Sequence, residues 1–110
     1  YAGKLSREKA RIDWTRPAAD VSRVIRAFDP EPGAYSRLRD NDVKLFGARV
    51  AVDVAGDPGT VLAIDEMGML VACGTGGIRI GYAHPAGRRR LATLDWAQGR
   101  GVTAGDVFTT

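Results

Sequence analysis

The sequence predicts a mainly β fold: a small OB-like five-stranded Greek-key barrel, preceded by an extended linker and one N-terminal helix and followed by a short C-terminal helix. Three observations predict it. Short apolar runs recur between residues 34 and 83 at the roughly 8–12-residue spacing of small barrels. Turn residues separate those runs: Asp40-Asn41-Asp42, Ala55-Gly56-Asp57-Pro58-Gly59 and Gly74-Thr75-Gly76-Gly77. The chain has 110 residues, enough for one domain with one core.

Residues 1–16 show no sustained period and read as an interdomain linker, anchored by Ile12 and Trp14. The domain proper is expected over 17–110. Thr15 is placed to cap a helix whose first turn holds Pro17. Val21, Val24, Ile25 and Phe28 then form one apolar stripe. Asp29-Pro30-Glu31-Pro32-Gly33 stops the helix, because proline cannot continue its hydrogen bonds.

Five strands follow. They are read over 34–39, 43–53 (with Gly47 as a bulge or bend), 60–65, 69–73 and 78–83. Pro85 to Arg90 forms a loop. Thr93 is placed to cap a short helix over Leu94, Trp96 and Ala97, ended by Gly99. Val102, Val107 and Phe108 can dock the tail.

Charge is more informative than composition. The chain holds 16 Lys and Arg against 13 Asp and Glu, a net charge of only +3. The surplus sits in two segments. Residues 1–16 carry Lys4, Arg7, Lys9, Arg11 and Arg16 against Glu8 and Asp13. Residues 79–100 carry Arg79, Arg88, Arg89, Arg90 and Arg100 against Asp95. Two concentrated basic segments on a neutral body suggest a polyanionic partner. No apolar run approaches the ~20 residues of a membrane helix, and no signal-peptide core is visible. The single cysteine, Cys73, excludes an internal disulfide and a Cys-rich zinc site. A reducing, cytoplasmic setting is expected.

Several tempting motifs read better as structure. Gly74-Thr75-Gly76-Gly77 lacks the Lys-Ser/Thr of a phosphate loop and leads into a strand, so a hairpin turn is favoured. His84 is the only histidine and has no partner nearby in sequence, which suits a loop or rim position. Asp65-Glu66 suits a solvated turn, and Cys73 a small core side chain. Arg88-Arg89-Arg90 is the most pointed feature, since consecutive guanidiniums can reach several phosphates. Most of the aromatic residues read as core or helix-face groups. That favours contact with the backbone of a structured nucleic acid over base stacking.

The chain then resembles a known family. Lys4-Leu5-Ser6-Arg7-Glu8-Lys9-Ala10-Arg11-Ile12-Asp13-Trp14 is similar to the linker that leaves the catalytic domain of methionyl-tRNA formyltransferases. Val24-Ile25-Arg26-Ala27-Phe28-Asp29, with Pro30 and Pro32-Gly33-Ala34-Tyr35, resembles the entry to that family's C-terminal domain. Val43-Lys44-Leu45-Phe46, Pro58-Gly59-Thr60-Val61, Met69 to Gly74 and Pro85-Ala86-Gly87-Arg88-Arg89 continue the likeness in order. Two positions depart from it: Glu31, where many members have an aromatic, and His84, where a glutamine is expected.

The resemblance implies an OB-like domain that holds initiator Met-tRNA, mainly by its phosphate backbone. It would sit beside an N-terminal catalytic domain that uses 10-formyltetrahydrofolate. No cofactor or metal is expected in this domain, and the chain alone is expected to be non-catalytic. By position, Lys4, Arg7, Lys9 and Arg11 match the basic linker, and Arg88, Arg89 and Arg90 the basic loop. Lys44 and Arg79 are weaker tRNA candidates. Two other readings stand beside this one. One is the similar domain of other 10-formyltetrahydrofolate-using formyltransferases or dehydrogenases. The other is a barrel that only packs against its catalytic neighbour.

Overall fold

The structure, a computed structural model, describes residues 10–29 and 33–109. Helix α1 spans Ala18–Ala27. Strands β1 (Ala34–Leu38), β2 (Asn41–Ala51), β3 (Val61–Asp65), β4 (Gly68–Ala72), β5 (Gly77–Pro85) and β6 (Leu91–Ala92) follow, then helix α2, Thr93–Gln98. The strands form one antiparallel sheet in the order β1-β2-β5-β4-β3, with β6 on β5. Strands β3, β4 and β5 are consecutive hairpin neighbours, and β2 lies beside β5. That is Greek-key connectivity.

The expectation of five strands is corrected to six. The added strand has two residues, too few for an alternating pattern to register. No ladder joins β3 to β1 among the described residues, so the sheet is an open path rather than a closed barrel. The C-terminal segment lies between those two strands instead. Val107 bridges Thr60 at the entrance to β3, and Thr109 bridges Arg37 on β1.

Two glycines decide which side chains face inward. Val43, Leu45 and Phe46 are buried on β2, Phe46 from the opposite parity, and beyond Gly47 the buried residue is Ala48. On β5, Ile78 and Ile80 are buried before Gly81, and Ala83 and Pro85 after it. Strict alternation would keep one parity. The inward set switches where Gly47, at φ +70, bends the strand.

The core is built from Leu45, Met69, Val71, Ile78 and Ile80 on the sheet, closed over by Val21 and Ile25 of α1. The segment ahead of the helix belongs to it as well. Ile12 and Trp14 are each 1% exposed. The Trp14 ring stands 5.7 Å from Phe108, which stands 6.5 Å from Trp96. Trp14 Nε1 donates to Ser36 Oγ at 2.9 Å, and Ser36 Oγ donates to the Thr109 carbonyl at 2.7 Å. Chain entry, first strand and chain end are thus tied by a buried, satisfied polar relay. Residues 10–12 also run beside β1. The Ile12 amide donates to the Tyr35 carbonyl, and the Tyr35 amide to the Ala10 carbonyl, both at 2.9 Å.

Neither expected helix cap forms. Pro17 occupies the N-cap of α1 without a side-chain hydrogen bond, and the Ala18 amide donates to the Thr75 carbonyl at 2.8 Å. The Thr15 hydroxyl donates instead to the Asp13 carboxylate. Thr93 is fully buried inside α2, and Ala92 is the N-cap. The Thr93 hydroxyl donates to the Ile80 carbonyl at 2.8 Å, where β5 exchanges β4 for β6 as its neighbour. Tertiary carbonyls take the Ala18 amide and the Thr93 hydroxyl, while the Thr15 hydroxyl turns to Asp13 two residues away.

Candidate nucleic-acid interface

Strand register builds the site. Arg11 bridges Tyr35 on β1, Tyr35 pairs with Lys44 on β2, and Lys44 pairs with His84 on β5. Paired residues point to the same side of a sheet. Their neighbours Ile12, Ala34, Ser36, Val43, Leu45, Ala83 and Pro85 are buried, so these four face outward. At ~4.8 Å per strand the row crosses about 14 Å of outer surface. His84 therefore lies within a strand, not in the loop or rim position expected for it.

The arginine loop rises from the end of this row. Pro85 ends β5 and is buried. The Ala86 amide donates to the Asp42 carbonyl, and the Arg88 amide to the Pro85 carbonyl, each at 3.0 Å. These bonds fix the base of the loop, while Arg88, Arg89 and Arg90 are all exposed. Arg90 turns back onto the sheet. Its guanidinium carbon lies 4.4 Å from the Phe46 ring centre and 5.0 Å from that of Tyr82, a cation–π stack on two rings. Arg88, Arg89, Arg11 and Lys44 form no salt bridge among the described residues, and none joins Asp95 to the loop.

The acids near the row are occupied. Asp42 lies 3.6 Å from Arg37, and the Asp29 carboxylate accepts the Gly47 amide at 3.0 Å. Asp13 is held below the usual carboxylate range, first by the Thr15 hydroxyl and then by the Thr15 amide, with Arg16 and Arg11 adding to this.

Arg79 is placed elsewhere. It lies five positions along β5 from His84, with its guanidinium 3.2 Å from Asp65, a structural ion pair. Lys4, Arg7 and Lys9 lie outside the described residues. Of the candidates, the structure gathers Arg11, Lys44, Arg88, Arg89 and Arg90. The sequence reading missed Tyr35, His84 and the Phe46–Tyr82 pair. The available signal was that Phe46 shares the parity of Lys44, not that of Val43 and Leu45.

The other motifs serve the fold. Gly74 lets the chain entry approach: a methyl group there would overlap the Thr15 carbonyl oxygen. Burial pushes the Cys73 thiol up to about 11, so it stays protonated and un-nucleophilic at neutral pH. No cluster of His, Cys, Asp and Glu suited to a metal occurs among the described residues. No helix among them is long and apolar enough to cross a membrane.

Residues 4–101 match the family described as formyl transferase, C-terminal domain. The chain belongs to that family. A methionyl-tRNA formyltransferase of Magnetococcus marinus is 39% identical over 106 residues, covering 96% of this chain and 34% of that protein. One of Aromatoleum aromaticum is 44% identical over 108 residues, covering 98% and 34%. The chain thus spans about a third of the length of the curated relatives it matches. Among solved structures, a HypX variant from Aquifex aeolicus superposes with a TM-score of 0.75 at 25% identity, covering 89% of this chain and 18% of that one. Another HypX structure, in complex with tetrahydrofolic acid, gives 0.74 at 24% identity, covering 94% and 21%. This second likeness shows the shared fold. This member of the family joins a helix, a Greek-key sheet and an outward row that carries Arg11 and Lys44.

Proposed function

We propose that this domain is the tRNA-holding, non-catalytic C-terminal part of a cytoplasmic methionyl-tRNA formyltransferase that formylates initiator Met-tRNA for translation initiation. The observation that supports the reading is the outward row carrying Arg11 and Lys44, beside a loop on which Arg88 and Arg89 are exposed and Arg90 stacks on Phe46 and Tyr82, with nearby acids engaged elsewhere. Phosphate contact is the natural use of such groups, because each phosphate neutralised releases counterions. The relatives named methionyl-tRNA formyltransferase supply the RNA. Catalysis and 10-formyltetrahydrofolate binding are assigned to the part of those relatives that this chain does not match. The basic face favours this reading over a barrel that only packs on its neighbour.

The test is a salt titration of binding to initiator tRNA and to duplex DNA of similar charge. Binding should be salt-dependent and stronger for tRNA. An absence of binding even at low salt would leave a packing domain.

A further inference from the structure

The outer face carries a second feature beside the basic row. Tyr82 is 47% exposed, although its ring is held from one side by Arg90. Across β5's other edge it pairs with Ala92, which leaves the flank of the ring uncovered. There a recess of about 200 Å³ opens between Tyr82, Gly81, Ala92 and Leu94 on one side and Glu66 and Met67 on the other. Met67 is 54% exposed, so two of the large exposed apolar side chains of the described surface border one recess. Gly81 adds no side chain to fill it.

The rim selects the class of ligand. Arg49 is committed to the Met67 carbonyl at 3.0 Å. Asp65 is committed to Arg79 at 3.2 Å and to the Met67 amide at 2.8 Å. Glu66 is left as an exposed acceptor with no partner among the described residues. A free carboxylate repels a phosphate but accepts hydrogen bonds from an amino group. An aromatic face backed by a guanidinium and bordered by an acceptor suits a flat ring bearing an amino group.

We infer that this recess takes one unpaired nucleobase of the bound RNA, stacked on Tyr82 with its amino-bearing edge toward Glu66. The inference rests on the RNA reading above and adds base contact to backbone contact. Arg90 then has a positioning role: stacked on Phe46 and Tyr82, it holds the Tyr82 ring at the edge of the phosphate-binding loop.

The test compares a blunt RNA duplex with the same duplex carrying one unpaired 3′ adenosine, one unpaired 3′ uridine or one abasic nucleotide. Binding is read at fixed salt by fluorescence anisotropy. The adenosine should tighten binding at least about fivefold. The uridine, lacking the amino group, should gain less, and the abasic nucleotide nothing. Tyr82→Phe should keep the gain, Tyr82→Ala should abolish it, and Glu66→Gln should narrow the difference between adenosine and uridine. An adenosine gain that survives Tyr82→Ala, or is matched by the abasic nucleotide, overturns the inference. So does salt-dependent binding of the blunt duplex with no gain from any overhang, and that result leaves the RNA reading standing. Failure of every duplex to bind removes both.

Discussion

Two sets of arginines occupy this small surface, and they are treated differently. On one side, Arg16 and Arg23 share Asp20, Arg39 meets Asp106 at 2.6 Å and Arg79 meets Asp65. On the other, Arg11, Arg88 and Arg89 have no carboxylate partner among the described residues, and Arg90 rests on aromatic faces. The two sets carry the same charge but differ in how much of it is already neutralised. A guanidinium paired with a carboxylate is already neutralised, and a phosphate must displace that partner. An unpaired one is ready to act, and Arg90 is in addition pre-organised by its stack.

The largest expected effect is on the unpaired set. Replacing Arg88 and Arg89 together by Ala should weaken tRNA binding about tenfold or more at low salt. It should also flatten the plot of log affinity against log salt by about 0.7–0.9 per lost phosphate contact. Thermal stability should barely change. An unaltered slope would take the loop out of the interface. Next comes Lys44→Ala, expected to remove a single contact's share of the slope with no preference among RNA sequences.

The paired set should behave in the opposite way. Arg39→Ala should cost roughly 0.5–1 kcal/mol in a denaturant melt and leave tRNA affinity within error. A loss of affinity equal to that of the loop variant would erase the distinction. The same pair gives a pH signature. Burial opposes the charge of Asp106, but the Thr103 amide and the Arg39 guanidinium outweigh it and hold its carboxyl below the usual range. A depressed carboxylate stabilises the fold above its unfolded-state value, and that contribution is lost as the pH falls through the folded-state value. Melts at falling pH should show this acid loss in the native protein and less of it in Asp106→Asn. The smallest effect is expected for Arg23→Ala. Its side chain is 75% exposed, so stability should shift by no more than about 0.5 kcal/mol and binding should not respond.

Why was the set of elements legible while the site was only partly so? The five longer strands and α1 announce themselves by apolar period and by turns rich in Gly, Pro and Asp. Those signals are local. The row from Arg11 to His84 is not, because it depends on residue 11 lying beside residue 35, and 44 beside 84. Tyr82 shares the parity of Ile78 and Ile80, so uninterrupted alternation would place it inside and gives no warning of the switch at Gly47 and Gly81. Thr15 and Thr93 suit helix caps by sequence, yet their hydroxyls serve Asp13 and the Ile80 carbonyl. Apart from Thr15, whose partner is two residues away, a partner distant in the chain or a change in backbone direction decided the outcome.

The approach of Thr15 to Gly74 has a consequence for the order of assembly. Helix α1 has ten residues and no side-chain cap, and its first amide is satisfied only by Thr75 in the β4–β5 turn. A helix that short is marginal by itself in water. The helix must therefore wait for a hairpin that lies some 60 residues further along the chain, and such distant closure is slow. Pulsed hydrogen exchange during refolding should show the Ala18 amide gaining protection after the amides that pair β4 with β5. Helix α1 would then settle after the hairpin it leans on, although it precedes that hairpin in the chain.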